Sequence, residues 1–111
     1  MHQISVSEPW FSFIKNKKKK IEGRLNKNVF SELKKGDIVI WTHNNDSVKT
    51  KIKRITHYKT FNEYLSHEGL RHTLPNVHTI TEGIAIYRQY YSEEKEQQYG
   101  VLAIKIKVIN H

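Results

Sequence analysis

The sequence has no cysteine among its 111 residues. This absence excludes a disulfide framework and a thiolate metal site, and it suits a reducing compartment. No apolar run approaches the roughly 20 residues of a membrane-spanning helix. The N-terminal segment MHQISVSEPW lacks the basic start and the apolar stretch of a signal peptide. We therefore expect a soluble intracellular protein, and the length predicts a single domain over residues 1–111.

Acidic residues are scarce in the first half of the chain. Residues 1–59 contain 14 lysines and arginines but only 5 aspartates and glutamates, whereas residues 60–111 contain 5 and 6. The formal net charge of +8 is thus concentrated in one half, which favours a polyanionic partner, most commonly nucleic acid. The alternative is a lysine-rich protein without such a partner.

Several familiar chemical motifs are missing as well. The seven histidines have no HExxH spacing and no cysteine companion, so we expect neither a metal ion nor a cofactor. The chain also lacks a glycine-rich phosphate loop and a GxSxG elbow, and nothing local supports Ser–His–Asp chemistry.

The hydrophobic pattern predicts a small α+β fold. Strand patterns occupy residues 20–25, 38–41, 48–58 and 101–109, and helical patterns occupy residues 7–18, 60–69 and 79–91. The two later helices each begin with a capping-box sequence, at Thr60 and Thr79. Loops are predicted at residues 43–47 and, around Pro75, at residues 70–78. Because a strand returns after the helices, the last strand is expected to close a sheet or barrel.

The third strand alternates between apolar and basic residues. Val48 and Ile52 are predicted to face inward, and Lys49, Lys51 and Lys53 to face outward. This strand therefore presents a positive outer face, which can contact phosphates without reading sequence.

The segment KNKKKKIEGRL, residues 15–25, is the most basic part of the chain. Glu22 and Arg24 are two residues apart on a predicted strand, so they point to the same face. Such a pair can offer donors and acceptors to a base edge and a cation to a phosphate. A structural ion pair is the alternative. The lysines of this run with a predicted phosphate-binding role are Lys17, Lys18, Lys19 and Lys20.

Most of the aromatic side chains that could stack on bases are expected to pack the core instead; they are Trp10, Phe11, Phe13, Trp41, Tyr87, Tyr90, Tyr91 and Tyr99. Trp10 is the exception that we single out, because it lies at the start of the first helix and near the lysine run. Trp10 is therefore predicted to form a wall of a binding pocket.

Four stretches together resemble the ASCH domain, a branch of the PUA-like superfold. They are EPWFSFIKNKKKKIEGRL, LKKGDIVIW, YKTFNEYLSHEGL and EGIAIYRQYYSEEKEQQYGVLAIKIK, and they cover nearly the whole chain in the family's order. The resemblance implies a small PUA-like β-barrel with helices packed around it and a cleft between them. It also implies an association with RNA.

Some small members of that family are amidohydrolases that remove the acyl group of N4-acetylcytidine. By resemblance their working lysine matches Lys19 and their glutamate matches Glu68, while Glu22 occupies the position of their threonine. Glu22 carries no hydroxyl, and it would pair with Lys19 and keep that amine charged, which weakens the amine as a base. This departure from the motif makes amidohydrolase activity a less favoured interpretation.

Three functions therefore stay open. The first is an RNA- or nucleotide-binding module that uses a basic cleft. The second is a small amidohydrolase acting on an N4-acylated cytidine-type nucleoside, with Lys19, Glu22 and Glu68 at its centre. The third is a ribonuclease-like activity. We favour the binding module, and we expect Lys19, Glu22, Arg24 and Glu68 to converge on one opening.

Overall fold

The chain is described by a computed structural model that covers residues 1–109. Five strands form one curled sheet, an open half-barrel, in the order β1-β3-β4-β5-β2. The strands are β1 (His2–Ser5), β2 (Ile21–Leu25), β3 (Ile38–His43), β4 (Asp46–Tyr58) and β5 (Val101–Val108). Neighbouring strands are antiparallel except β1 and β3, which are parallel. The sheet thus ends in two edge strands, β1 and β2.

Five α-helices pack around this sheet, which confirms the α+β class and the PUA-like barrel architecture. They are α1 (Trp10–Lys15), α2 (Phe61–Glu68), α3 (Leu70–Thr73), α4 (Ile80–Arg88) and α5 (Glu93–Tyr99), and a 3-10 segment spans Asn28–Glu32. One hydrophobic core lies between the helices and the sheet, and Trp41, Tyr64 and Phe61 are among its largest buried side chains. The two last residues of the predicted domain, 110 and 111, lie outside the described part of the chain.

The capping residues that were predicted for two helices are present. The side-chain oxygens of Thr60 and Thr79 accept hydrogen bonds from the backbone N–H groups of Glu63 and Glu82, both at 3.1 Å. Each bond satisfies a backbone donor that the first turn of a helix leaves unpaired. Gly69 ends α2 with a φ of 84°, a left-handed conformation that glycine adopts without a steric penalty.

Three predicted boundaries were wrong. One is the end of the last predicted helix, which was predicted over residues 79–91, whereas α4 spans only Ile80–Arg88. The first helix was predicted over residues 7–18, but α1 spans only Trp10–Lys15. It ends there because Asn16 caps it and Lys17 adopts a φ of 65°, which turns the chain back. The loop predicted at residues 43–47 is shorter, since β3 and β4 continue to His43 and Asp46 and leave a tight turn between them.

Three elements were not predicted at all. β1 is four residues long and has one buried side chain, Ile4, so its pattern is too short to recognise. α3 begins directly after Gly69, inside the segment that was predicted as a loop. α5 is almost wholly polar, and its buried residue is Glu96, whose carboxylate accepts a 2.6 Å hydrogen bond from the N–H of Phe61. A helix held in this way carries no hydrophobic stripe.

β4 follows the predicted alternation through its first half. Val48 and Ile52 are buried, and Thr50 between them accepts a 2.9 Å hydrogen bond from Nε1 of Trp41. Lys51 and Lys53 are exposed, and Lys49 is half-buried. The basic outer face of this strand is therefore present.

Candidate functional site

A cleft of about 200 Å³ opens at the seam where the half-barrel does not close. Both edge strands line it, with Ser5 on β1 and the segment from Glu22 to Arg24 on β2. The guanidinium of Arg24 donates a 3.1 Å hydrogen bond to the backbone oxygen of Ser5, so one side chain bridges the seam. We call this opening the aromatic cleft, because four aromatic side chains line it: Trp10, Tyr87, Tyr90 and Tyr91.

Lys19 is the one member of its lysine run that lines the aromatic cleft. Its side chain is buried, with 2% of the residue exposed, whereas Lys17, Lys18 and Lys20 are exposed. The backbone explains the difference. The turn at Lys17 reverses the chain, the N–H of Lys19 bonds to Phe13, and the N–H of Lys20 bonds to His72, so only Lys19 points inward.

The Lys19 amine has three hydrogen-bond partners within the protein. It donates to the backbone oxygens of Ile21, at 2.9 Å, and Thr73, and it lies 3.2 Å from Oε1 of Glu22. An ammonium group has three protons, so all three are used. Burial lowers the pKa of Lys19, and the negative charge of Glu22 opposes that shift.

Glu22 lies between two cations. Its Oε2 accepts a 2.9 Å hydrogen bond from Nε of Arg24, and its Oε1 faces Lys19. Burial alone would raise the pKa of this carboxyl, but the charges of Lys19 and Arg24 outweigh burial and lower it. Glu22 is therefore ionised at neutral pH. Its Oε2 lies 2.9 Å from both Nε and Nη2 of Arg24, whereas its Oε1 has only the Lys19 amine beside it and keeps one further acceptor position.

Arg24 has donors to spare. Its guanidinium has five N–H groups; Nε bonds to Glu22, and Nη2 bonds to Ser5 and also lies 2.9 Å from Oε2 of Glu22, which leaves the two N–H groups of Nη1. The rings of Phe30 and Trp41 lie 4.9 Å and 5.7 Å from the guanidinium carbon and fix its plane. The Arg24 guanidinium and the Glu22 carboxylate are both fixed in position. Together they offer hydrogen-bond donors and acceptors side by side.

Gly23 separates these two charged residues for a steric reason. A Cβ atom at this position would lie 2.6 Å from the ring of Tyr64, closer than atoms can approach. The Tyr64 hydroxyl is in turn 3.0 Å from that of Tyr87, which lines the cleft. Glycine thus lets the core pack directly beneath the site.

The tyrosines complete the wall opposite β2. Tyr90 is 55% exposed and its hydroxyl lies 3.2 Å from that of Ser7, across the mouth of the cleft. Trp10 is 9% exposed, and the Lys19 amine lies 5.7 Å from its ring centroid. Trp10 therefore lines the aromatic cleft, and its role in binding stays a prediction. The tyrosines were predicted mainly to pack the core. Nothing in their spacing along the chain indicated that Tyr90 and Tyr91 follow the end of α4 and line an opening.

Glu68 does not line the aromatic cleft, contrary to the expectation that it would join Lys19 and Glu22. Its carboxylate accepts two hydrogen bonds from Arg54, at 2.9 Å and 2.7 Å, and one from the Tyr58 hydroxyl at 2.6 Å. These contacts, chiefly those from Arg54, lower the pKa of Glu68. Burial, together with the neighbouring Glu68 carboxylate, raises the pKa of Tyr58 to about 12. β4 supplies both partners, and they hold Glu68 away from the seam.

The other lysines predicted to bind nucleic acid lie outside the aromatic cleft. Lys17, Lys20 and Lys53 line a separate groove, and Lys18, Lys49 and Lys51 line neither opening. Within residues 1–109, no three histidine, aspartate or glutamate side chains are grouped so that they could hold a metal ion. No helix in the described part of the chain is both long enough and apolar enough to cross a membrane.

Comparisons with known proteins place this fold in a family. A family model described as the ASCH domain matches residues 4–110. The structure is similar to the crystal structure of hypothetical protein PH0355, with a TM-score of 0.91 and 42% identity over 97% of this chain and 98% of that chain. It is also similar to the solution structure of protein PF0455 from Pyrococcus furiosus, with a TM-score of 0.83 and 40% identity over 100% of both chains. No curated protein matches the chain significantly.

Proposed function

The chain belongs to the ASCH domain family, and we propose that it is an RNA- or nucleotide-binding module that takes one base into the aromatic cleft. The observation that carries the proposal is the pair formed by Glu22 and Arg24. Their side chains are joined at 2.9 Å, lie at the seam between the edge strands, and are faced by tyrosines.

The shape and lining of the cleft suit a planar base. Pockets for drug-sized ligands are typically about 300–1,000 Å³, so a cleft of about 200 Å³ suits a smaller group. Aromatic side chains stack on bases of any type, and Trp10, Tyr90 and Tyr91 provide such faces. A base would therefore enter between the edge strands and stack against these rings.

The polar groups of the cleft complement a base edge. The Nη1 group of Arg24 has donors for ring nitrogen or carbonyl acceptors, and Oε1 of Glu22 keeps an acceptor position for an amino group. Lys19, Glu22 and Arg24 are the charged residues in the lining, and together they carry a net charge of +1. That excess charge favours a ligand with a phosphate.

Lys19 supports this site by holding Glu22 rather than by acting as a base. All three ammonium protons have protein acceptors, and a base would need a free lone pair. Glu22 occupies the position of the family's threonine, and Glu68 pairs with Arg54. These features favour binding over the amidohydrolase alternative, and no described group favours the ribonuclease alternative.

Equilibrium titration with nucleoside monophosphates and short single-stranded RNA tests the proposal. Arg24→Lys keeps the charge but loses the planar fork, and we expect it to weaken binding about tenfold, since a good bidentate contact contributes about 1–3 kcal/mol. Arg71→Lys, at an exposed position outside the cleft, is the matched control and should bind as the wild type does.

Two results would overturn the proposal. One is the absence of saturable binding to every nucleotide and RNA tested, or equal binding by the wild type and Arg24→Lys. The other is release of cytidine from N4-acetylcytidine that Glu22→Gln abolishes, which would establish the amidohydrolase instead.

A further inference from the structure

A second concave surface lies on the outer side of β4 and β5. We call it the basic groove; its volume is about 400 Å³, Ile106 and Val108 form its apolar part, and five exposed lysines line it: Lys17, Lys20, Lys53, Lys105 and Lys107. Lys19 borders both openings, but its amine points to Glu22 in the aromatic cleft. The basic groove and the aromatic cleft therefore flank the same short segment of chain.

The strand register places like charges directly opposite each other beside this groove. Lys51 on β4 pairs with Lys107 on β5, and Arg54 pairs with Lys105. Residues paired in this way share a face of the sheet, and like charges opposite each other destabilise it. Arg54 is neutralised by Glu68, but the Lys51–Lys107 pair is not.

A β-bulge adds to the concentration of positive charge. The register shifts between Ile52 and Arg54, so Lys53 is an extra residue on β4 without a partner on β5. Bulges of this kind bend a strand and re-aim its side chains. Strand alternation already exposes Lys51 and Lys53 on either side of the buried Ile52, and the bulge places Lys53 directly before Arg54, which is opposite Lys105. Lys53 joins the lining of the groove.

The five groove lysines have no ion-pair partners among residues 1–109. The ion pairs in this part of the chain involve other cations: Lys15, Lys19, Arg24, Arg54, Arg88 and His2. Unpaired lysines that lie close together repel one another and destabilise the folded protein. A bound polyanion would neutralise these charges and remove the repulsion.

We propose that the basic groove binds the phosphate backbone of an RNA strand, one of whose bases occupies the aromatic cleft. The proposal rests on the proposed function and deepens it, because it makes the ligand a polynucleotide rather than a free nucleotide. Lysines bind phosphates as point charges and read no sequence. The groove therefore supplies affinity, and the cleft supplies the contacts to the base.

The salt dependence of binding to single-stranded RNA tests this assignment. Each phosphate contact on a single strand contributes about 0.7 to the slope of log K against log salt concentration. The triple variant Lys53→Gln, Lys105→Gln, Lys107→Gln should therefore reduce that slope by about 2. Its affinity for a nucleoside monophosphate, which needs only the cleft, should stay within about twofold of the wild type.

The matched control removes the same charge elsewhere. Lys34, Lys35 and Lys59 are exposed and line neither opening, and their triple Gln variant should keep the wild-type slope. Equal slopes for the two triple variants would overturn the groove, even if nucleotides bind in the cleft. If the groove variant has a reduced salt slope but no nucleotide binds to the wild type, RNA binding by the basic groove is supported and base binding in the aromatic cleft is overturned. If polyglutamate or anionic lipid vesicles bind as tightly as RNA, and the groove variant weakens that binding equally, RNA is not the specific partner of the groove.

Discussion

The Lys19 amine and the Glu22 carboxylate form an ion pair of 3.2 Å in which both side chains are almost fully buried. Removing two charges from water is expensive, and their attraction compensates only when the geometry is good and additional hydrogen bonds hold both groups. Here two backbone oxygens satisfy the amine, and Arg24 satisfies the second carboxylate oxygen. The pair thus fixes Glu22, and through it Arg24, at the mouth of the aromatic cleft.

Lys19→Met should destabilise the protein strongly. The change leaves Glu22 with one cation and leaves the backbone oxygens of Ile21 and Thr73 without their donor. Breaking a buried pair from one side typically costs about 3–5 kcal/mol, and the remaining contact with Arg24 places the expected loss near the lower end, about 3 kcal/mol. Urea denaturation measures this loss as a shift of the midpoint at constant slope.

Lys18→Met is the control, because the neighbouring lysine is exposed. Its free energy of unfolding should lie within about 0.5 kcal/mol of the wild type. If the two variants unfold at the same urea concentration, the buried ion pair does not stabilise this fold.

The sequence identified Lys19 through the family motif, but not its difference from the adjacent lysines. That difference comes from the left-handed turn at Lys17 and from backbone bonds to distant Phe13 and His72. The sequence predicted that Glu22 and Arg24 share one face of a strand, because the alternation of side chains depends only on neighbouring residues. It could not place the β1 edge against them, since β1 reaches the seam through its parallel pairing with β3.

Glu68 shows the opposite case, in which the position in the family motif led to a wrong prediction that it would lie beside Lys19 and Glu22. Its partners Arg54 and Tyr58 lie on β4, 14 and 10 residues earlier in the chain, and only tertiary packing brings them together. Lys105 and Lys107 were within reach of sequence reasoning, because their segment alternates between apolar and basic residues. The missing information was the register, which sets them opposite Arg54 and Lys51.

Acid should destabilise the protein through two carboxylates. The pKa values of Glu22 and Glu68 are both lowered from 4.5, so their contribution to stability is complete above that pH and is lost as the pH falls through their folded pKa values. The unfolded chain binds more protons in this window, and the free energy of unfolding therefore decreases with falling pH. Urea denaturation at several pH values between about 6 and about 3 measures the slope.

Glu68→Gln should flatten this slope, because it removes one of the two linked protons. Glu94→Gln, at an exposed position of α5, should leave it unchanged. A Glu68→Gln protein with the full wild-type slope would contradict the assignment of acid sensitivity to the contacts with Arg54 and Tyr58.

Lys107→Glu should raise stability and lower RNA affinity at the same time. The substitution places a carboxylate opposite Lys51 and replaces a repulsive cross-strand pair with an attractive one. Such an exchange is expected to increase the free energy of unfolding by up to about 1 kcal/mol at low salt, and less as salt screens the pair. The same change removes a groove lysine and adds a charge that repels phosphate, so binding to single-stranded RNA should weaken.

Lys35→Glu makes an identical charge change at an exposed position outside the strands, and it should show neither effect. A Lys107→Glu protein that loses stability, or that binds RNA as tightly as Lys35→Glu, would mean that the positive charge on β4 and β5 is not held there for a polyanion.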